Sequence, residues 1–185
     1  MNSRLETERL LLRPLTVEDA PAIFGYVSLA EVARLSGLPV ATSTAAVQDQ
    51  LRQRIADAQM GAYPVIYAIL FKETNRLIGT IGFTRRLHET CLVIGYSLHP
   101  DYWGQGLMVE AGKAFVQEAF ASLSIDTIEL YTYAFNHQSR RIAEKLGFQQ
   151  ERLYPHDKKV DGHTVHIAQY ALAREEWEKR NKEKA

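Results

Sequence analysis

The spacing of apolar and polar residues over the first sixty positions predicts a strand followed by two helices. A run of leucines closed by Pro14 is typical of a short strand, and the acidic residues after Thr16 are typical of a capped helix start. A later stretch rich in helix-forming residues ends at Gly61, as helices often do. The predicted segments are a strand at 9–14, a helix from 16 to about 28, a loop at 35–44 and a helix at 45–60.

β-branched and aromatic residues dominate the middle of the chain and predict three strands. Short polar connections at 73–76 and 85–89 are suited to hairpins, so we expect an antiparallel meander. The predicted strands are 63–71, 77–84 and 91–98.

Helical spacing returns after the meander. The polar positions Glu110, Lys113 and Gln117 recur within 104–123, and apolar residues cover most of the remaining circumference, so we expect a largely buried helix. The later segments are a strand at 128–134, a helix at 137–146, a strand at 165–172 and a charged helix at 174–185 that frays. Because no repeat or linker interrupts this order, we expect one domain over 1–185, with a core at about 5–172 and an α+β fold.

The composition limits which partners the protein is expected to bind and in which compartment it is expected to lie. The 185 residues include 22 Lys+Arg and 22 Asp+Glu, and a net charge of zero argues against nucleic acid or anionic lipid as a partner. A polar N-terminus without a long apolar segment predicts a cytoplasmic protein that is not bound to a membrane. The single cysteine excludes an intramolecular disulfide, and no Cys/His spacing suits zinc, so we expect no metal.

The segment from Tyr96 to Ala111 is the most informative one for chemistry. A strand ends, Pro100 turns the chain, and Gly104-Gln105-Gly106 opens a helix, so unpaired amides and the positive end of the helix dipole face one point. This arrangement favours a phosphate, and glycine permits both a positive φ and a close approach of the anion. The same glycines are also consistent with a tight turn that has only a structural role.

A dinucleotide is the rival ligand, since Asp126 lies about 20 residues beyond Gly106, where a ribose-binding acid is expected. Two features oppose it. The third glycine of that fingerprint falls on Val109, and the preceding strand belongs to a hairpin meander rather than to a βαβ unit.

With two later motifs, this segment resembles the GNAT acetyltransferase superfamily. The similarity lies in Tyr102-Trp103-Gly104-Gln105-Gly106, in Asn136-His137-Gln138-Ser139 and in Glu144-Lys145-Leu146-Gly147-Phe148. These motifs look like the RimJ/RimL group, which acetylates protein N-termini, notably those of ribosomal proteins. Similar patterns at 8–13 and 161–172 extend the resemblance over about 5–172. It implies an acetyl-CoA-dependent N-acetyltransferase with a mixed, mostly antiparallel sheet of about six or seven strands and helices on both faces.

The resemblance also implies where acetyl-CoA binds. The strand ending at Leu98 separates from the strand at 128–134, and the pantetheine arm lies in that wedge, where Gly95 suits either a bulge or close packing against Trp103. The family's phosphate motif begins with Gln or Arg, whereas this chain has Asp101, so phosphate contacts depend on backbone amides. The implied cofactor-binding residues are Tyr96, Ser97, Leu98, Gly104, Gln105, Gly106, Leu107, Met108, Val109, Asn136, Ser139 and Lys145.

Aminolysis of a thioester requires a neutral amine and a proton for the leaving thiolate. The tyrosine that usually supplies this proton in the superfamily is replaced by Ala143, and the resemblance places Ser139 near the sulfur instead. Ser139 is therefore the candidate catalytic residue, with a helix cap as the alternative. The Asn136 amide either binds the pantetheine arm or caps the helix, or does both. Lys145 is either a phosphate contact or an exposed lysine.

The general base is not evident from the sequence. Related enzymes often carry Glu-x-Gly where this chain has Val93-Ile94-Gly95. Cys91 begins an apolar strand, which predicts a buried thiol rather than an acetyl-cysteine intermediate. Tyr131 and Tyr133 share a strand face and either line a groove or pack. The remaining candidates for the base are His88, Glu89, His163 and His166.

The acceptor is expected to be the α-amine of a protein or peptide, attacked directly in a ternary complex. An α-amine with a pKa near 8 is roughly a tenth neutral at pH 7, whereas lysine near 10.4 needs a stronger base. The alternatives are a small amine, such as a polyamine, aminoglycoside or amino acid, and a CoA-binding module without catalysis. Residues 30–61 are expected to form much of the acceptor side, and a homodimer is compatible with the sequence.

Overall fold

A computed structural model describes residues 1–62, 64–160 and 162–182. Tyr63, at which the second predicted strand begins, lies outside the described residues. Asp161, the first residue of the late motif, and residues 183–185, the end of the predicted tail helix, lie outside them as well.

Eight strands and six helices occur within the described residues. The strands are β1 (Leu5–Glu6), β2 (Leu10–Pro14), β3 (Tyr67–Phe71), β4 (Arg76–His88), β5 (Cys91–Leu98), β6 (Thr127–Tyr133), β7 (Gln149–Val160) and β8 (His163–Ala173). The helices are α1 (Ala20–Val27), α2 (Ala30–Ser36), α3 (Thr44–Gln59), α4 (Leu107–Ser122), α5 (His137–Leu146) and α6 (Arg174–Lys182). Short 3₁₀ turns lie at Val17–Asp19 and Pro100–Tyr102.

The strands form one sheet in the order β1-β2-β3-β4-β5-β6-β8-β7. Every neighbouring pair is antiparallel except β5 and β6, whose parallel pairing requires the crossover that α4 supplies. This mixed, mostly antiparallel sheet confirms the predicted α+β fold, with eight strands in the described residues rather than six or seven.

Helices cover both faces of the sheet. On one face, the ring of Phe115 from α4 lies 5.0 Å from the ring of Phe83 and 6.0 Å from that of Tyr67. On the other face, the Tyr26 hydroxyl of α1 shares a hydrogen bond of 3.0 Å with Ser97 Oγ of β5. Since β5 contributes side chains to both faces in alternation, it joins the two packed layers. None of the described helices is long and apolar enough to span a membrane.

The structure corrects several predicted boundaries. Residues 85–88, predicted as a connection, continue β4 because Arg85, Arg86 and His88 pair with β5. The helix α2 lies where neither helix nor strand was predicted, and it ends at Gly37 with a left-handed φ of 73°. The strand β7 was also missed, since every residue of it except Val160 is exposed.

The helix α6 is docked rather than frayed over its described length. Trp177 packs its ring 5.2 Å from that of Phe120, and the Arg180 guanidinium donates to Gly147 O at 2.6 Å. The Arg174 guanidinium also donates to three main-chain carbonyls near the end of α4. The high charge of this segment therefore reflects a helix that is anchored by its basic side chains and one tryptophan.

Asp19 ties the start of α1 to β2. Its carboxylate accepts hydrogen bonds from the Arg13 guanidinium at 2.6 and 2.8 Å and from the Thr16 amide at 2.9 Å. Burial raises the pKa of Asp19, but these donors outweigh burial and lower it. Because the folded pKa lies below the unfolded one, the carboxylate stabilises the fold above about pH 4 and loses that contribution as the pH falls further.

The substitution Asp19→Asn should lower the free energy of unfolding at pH 7 by about 1–2 kcal/mol. The lower part of the range for charged hydrogen bonds applies because the Arg13 side chain is 35% exposed and is screened by solvent. Urea unfolding at pH 7 and pH 3 measures the effect, and the difference from wild type should shrink at pH 3. A difference that persists undiminished would contradict a role for the charge.

Candidate active site

The strands β5 and β6 separate and open a cleft. They pair in register only from Cys91 with Thr127 to Ile94 with Leu130, after which β5 continues to Leu98 and β6 to Tyr133. The resulting cleft has a volume of about 850 Å³. All predicted cofactor-binding residues except Gln105 line it: Tyr96, Ser97, Leu98, Gly104, Gly106, Leu107, Met108, Val109, Asn136, Ser139 and Lys145.

Gly95 accommodates a bulge of the neighbouring strand rather than of its own. The ladder passes from Phe83 opposite Ile94 to Arg85 opposite Val93, which leaves Thr84 as the extra residue on β4. A Cβ on Gly95 would lie 2.5 Å from Thr84 Cγ2. The predicted alternative of packing against Trp103 is therefore wrong.

The glycine turn has the backbone geometry expected of an anion site. Gly104 and Gly106 adopt φ values of 74° and 77°, a region that side chains other than glycine enter at a cost. Gly106 caps α4, and its carbonyl accepts the first hydrogen bond of the helix, from the Glu110 amide at 3.0 Å. The amides of 107–109 precede that first bond and have no carbonyl within the helix to bind. They are therefore oriented to receive an anion at the start of α4.

The cation Arg9, which directly precedes β2, lies beside this turn. Arg9 Nη1 donates to Gln105 O at 3.1 Å, and Arg9 Nε donates to Glu110 Oε2 at 2.7 Å. Burial raises the pKa of Glu110, but hydrogen bonds from Thr7 and Arg9 outweigh it and lower the pKa. The Asp101 side chain is 81% exposed, and its carboxylate lies 3.7 Å from His99 Nδ1. Arg9 was missed as a site residue because it is 96 positions from Gln105 in sequence.

Gln105 contributes to the turn but does not line the cleft. Its side-chain amide donates to Asp101 O at 2.9 Å, and its carbonyl accepts from Arg9. Trp103 Nε1 similarly donates to Leu98 O at 2.8 Å. These bonds hold the chain between the end of β5 and the start of α4 in one shape.

Ser139 and Asn136 meet at the first turn of α5. Asn136 Oδ1 accepts from the Ser139 amide at 3.0 Å, and Asn136 Nδ2 donates to Leu35 O at 3.1 Å. The predicted capping role of Asn136 is thus confirmed, and the same side chain joins α5 to α2. The amide of Ser139 is satisfied by this cap, which leaves its hydroxyl available for another partner.

That hydroxyl contacts Tyr96 of β5. Tyr96 Oη and Ser139 Oγ share a hydrogen bond of 3.0 Å, and both residues line the cleft. Burial raises the pKa of Tyr96, although the hydrogen bond to Ser139 opposes that effect, so the phenol stays protonated at neutral pH. A tyrosine hydroxyl is therefore present beside Ser139, although it comes from β5 and not from the helix position occupied by the buried Ala143.

The candidates for a general base that were taken from the sequence do not line the cleft. Those residues, His88, Glu89, His163 and His166, lie at exposed positions. Cys91 is 1% exposed and does not line the cleft, which confirms the predicted buried thiol, and burial raises its pKa to about 11. Among the described residues, no group of three or more His, Cys, Asp or Glu side chains is placed to hold a metal ion.

One end of the cleft is built by α2, α3 and the strands opposite. Six residues of the segment 30–61, which is predicted to form much of the acceptor side, line the cleft: Val32, Leu35, Ser36, Gly37, Leu38 and Arg54. Tyr131 and Tyr133 face them from β6, together with His156 of β7. A Cβ on Gly37 would lie 2.6 Å from Tyr133 Oη, and Lys158 Nζ donates to Gly37 O at 2.7 Å. The α2 turn is therefore fixed against β6 and β7.

Sequence comparison matches this chain to a known protein family and to a curated relative. Residues 9–149 match the family described as the acetyltransferase (GNAT) domain. The uncharacterized N-acetyltransferase p20 of Bacillus licheniformis is 31% identical over 174 residues, which span 94% of this chain and 97% of that protein.

Two solved structures share the fold. The RimL ribosomal L7/L12 α-N-protein acetyltransferase in complex with coenzyme A superposes with a TM-score of 0.80 and 22% identity, covering 90% of this chain and 95% of that one. The spermidine N-acetyltransferase of Vibrio cholerae in complex with CoA and spermine superposes with a TM-score of 0.81 and 15% identity, covering 92% and 99%. At these identities the likeness concerns the fold alone, and that fold serves both protein and polyamine acceptors.

Proposed function

Because this chain belongs to the GNAT family of acetyl-CoA-dependent N-acetyltransferases, we propose that it transfers acetyl to the α-amine of a peptide or protein. The observation that carries this proposal is the charge of the cleft. Of the described residues that line it, none carries a carboxylate, whereas Arg54, Arg141 and Lys145 carry positive charge. A polyamine brings several positive charges and would find no carboxylate among these residues to pair with them. A peptide N-terminus brings a single amine that is partly neutral at pH 7.

The glycine turn and α5 are assigned to acetyl-CoA. The amides of Leu107, Met108 and Val109 receive the pyrophosphate, as helix N-termini do. Arg141 and Lys145 both line the cleft from α5, four residues apart and hence on one helix face, and they neutralise phosphate charge. The unpaired edge of β5 from Gly95 to Leu98 offers main-chain hydrogen bonds to the pantetheine arm, since β6 no longer pairs with it.

The reaction is direct aminolysis of the thioester. The lone pair of the neutral amine forms a C–N bond with the acetyl carbonyl carbon, the C–S bond breaks, and its electron pair leaves with sulfur. The sulfur takes a proton and the nitrogen loses one, so no enzyme nucleophile is required. Tyr96 and Ser139 supply the sulfur proton. Ser139 Oγ donates while Tyr96 Oη stabilises the serine oxygen, and solvent restores the proton.

A peptide with a free N-terminus should be acetylated at least tenfold faster than spermidine at pH 7 and equal concentration. The neutral fraction of an α-amine exceeds that of an amine near pKa 10.4 by about two orders of magnitude. The lack of a carboxylate among the described lining residues adds to this preference. Release of CoA thiol, followed for each acceptor separately, measures the ratio.

The matched control is the same peptide with its N-terminus blocked, which should release CoA at the background rate. Faster turnover of spermidine would move the function to small amines. Absence of CoA release with every amine would favour a CoA-binding module.

A further inference from the structure

Glu129 of β6 lies beside the strand position at which the sequence lacks a carboxylate. In the parallel ladder, Glu129 is the registered partner of Val93, the position that carries glutamate in Glu-x-Gly patterns. Paired residues of neighbouring strands project to the same face of a sheet. The carboxylate missing from β5 is therefore replaced, one strand away, by a carboxylate from β6 on the same face.

Tyr131 connects this carboxylate to the cleft. The last paired rung joins Ile94 to Leu130, so Tyr131 is the first residue of β6 on that face beyond the pairing, and it lines the cleft. Its hydroxyl donates to Glu129 Oε2. Gln169 Nε2 of β8 donates to the same oxygen at 3.1 Å and thereby fixes the orientation of the carboxylate.

We infer that Tyr131 and Glu129 together accept the proton that the amine loses during acetyl transfer. Tyr131 is the catalytic residue, since it is the member of the pair that lines the cleft, and Glu129 acts through it as the positioning residue. As the C–N bond forms, an amine proton moves to Tyr131 Oη while the phenolic proton moves to Glu129, which then releases a proton to solvent. This inference rests on the proposed transfer to an amine.

The charges around the pair explain why both members are needed. Burial raises the pKa of Tyr131, and the hydrogen bond to Glu129 raises it further, so the phenol alone stays neutral and is a poor base. The Arg85 guanidinium of β4 lies 4.8 Å from the Tyr131 ring centroid and opposes that effect. The other titratable groups beside the pair are Cys91 of β5, which contacts Glu129, and Tyr154 of β7, which acts on Tyr131; Glu151 of β7 acts on Cys91. The Glu129 carboxylate is thus the group that finally accepts the proton, and Tyr131 connects it to the cleft.

The test uses the full chain with the substitutions Tyr131→Phe and Glu129→Gln. We expect each to lower kcat with a peptide acceptor by roughly 100-fold, the usual worth of a positioned proton acceptor, and to leave the Kd for CoA unchanged. Tyr131→Phe keeps the ring beneath Arg85, so it decides the matter if Glu129→Gln does not fold. Tyr67→Phe, which removes a tyrosine hydroxyl that bonds to Asn2 O outside the cleft, should retain wild-type kcat.

The pH profile separates catalysis from structure. The experiment uses two peptides whose α-amines differ in pKa. If kcat falls toward acid pH at the same pH for both peptides, the group that takes up the proton lies in the protein and not in the substrate. We expect this peptide-independent acid limb of the pH profile in wild type and its loss in both variants. Variants that keep both kcat and the limb would overturn the inference while leaving the proposed function intact, whereas a wild type that acetylates no amine would overturn the function itself.

Discussion

Replacing Gly106 with valine should weaken acetyl-CoA binding roughly tenfold or more while the protein remains folded. Valine disfavours the left-handed φ of 77° at this position by about 1–2 kcal/mol. Because the turn would have to shift away from the geometry that binds the anion, we expect a loss of about a factor of ten in affinity. The nearest atom to an added Cβ is Arg9 Nη2 at 3.8 Å, so the protein interior itself has room for the side chain. The loss should therefore appear in binding, and calorimetric titration with CoA measures it.

Gly25 supplies the matched control for that experiment. It lies within α1, has no atom within 4 Å of an added Cβ, and is not among the positive-φ residues. Gly25→Ala should leave CoA affinity unchanged and stabilise the helix by up to about 1 kcal/mol. Unchanged affinity in a folded Gly106→Val protein would contradict an anion site at the glycine turn.

Replacing Ser139 with alanine should lower kcat roughly tenfold or more, with little change in the Kd for CoA. A positioned proton donor is worth on the order of 10²–10⁴-fold, and water replaces part of the loss. Tyr96→Phe should have an effect in the same direction, because it removes the hydroxyl 3.0 Å from Ser139 Oγ. Single-turnover rates with saturating peptide isolate the chemical step.

The double variant tests whether the two hydroxyls act as one unit. If they do, Tyr96→Phe should cost little once Ser139 is alanine, since residues that share one role are not additive. Ser122→Ala is the matched control, because it removes a helix serine hydroxyl whose partner is Glu118, outside the cleft. Full activity in Ser139→Ala would reduce Ser139 to a structural residue at the start of α5.

Elements defined by local chemistry could be predicted from the sequence. The bounds of α5 were predicted correctly because Asn136 caps its start and Gly147, with a φ of 95°, ends it. The glycine turn was also recognised locally, since positive φ and phosphate binding both select glycine. In contrast, β7 carries no apolar periodicity and is a strand because it pairs with β8. Its sequence alone therefore had no strand signal, and His156 was missed along with it.

Site residues that depend on long-range register could not be predicted. The bond between Tyr96 and Ser139 spans 43 positions, and the contact of Arg9 with Glu110 spans 101. The placement of Glu129 opposite Val93 follows from the parallel pairing of β5 and β6, which the order of elements along the chain does not specify. The exposed histidines were wrong candidates for the same reason, since only the tertiary fold determines which side chains reach the cleft.

The choice of acceptor is tested most directly by a single peptide that carries both a free α-amine and a lysine. The peptide is incubated at pH 7 with acetyl-CoA bearing a labelled acetyl group, and fragment mass spectra locate the label. The account predicts label on the α-amine in large excess, because both amines share one molecule and differ mainly in their neutral fraction and reach. Label mainly on the lysine Nε would contradict it.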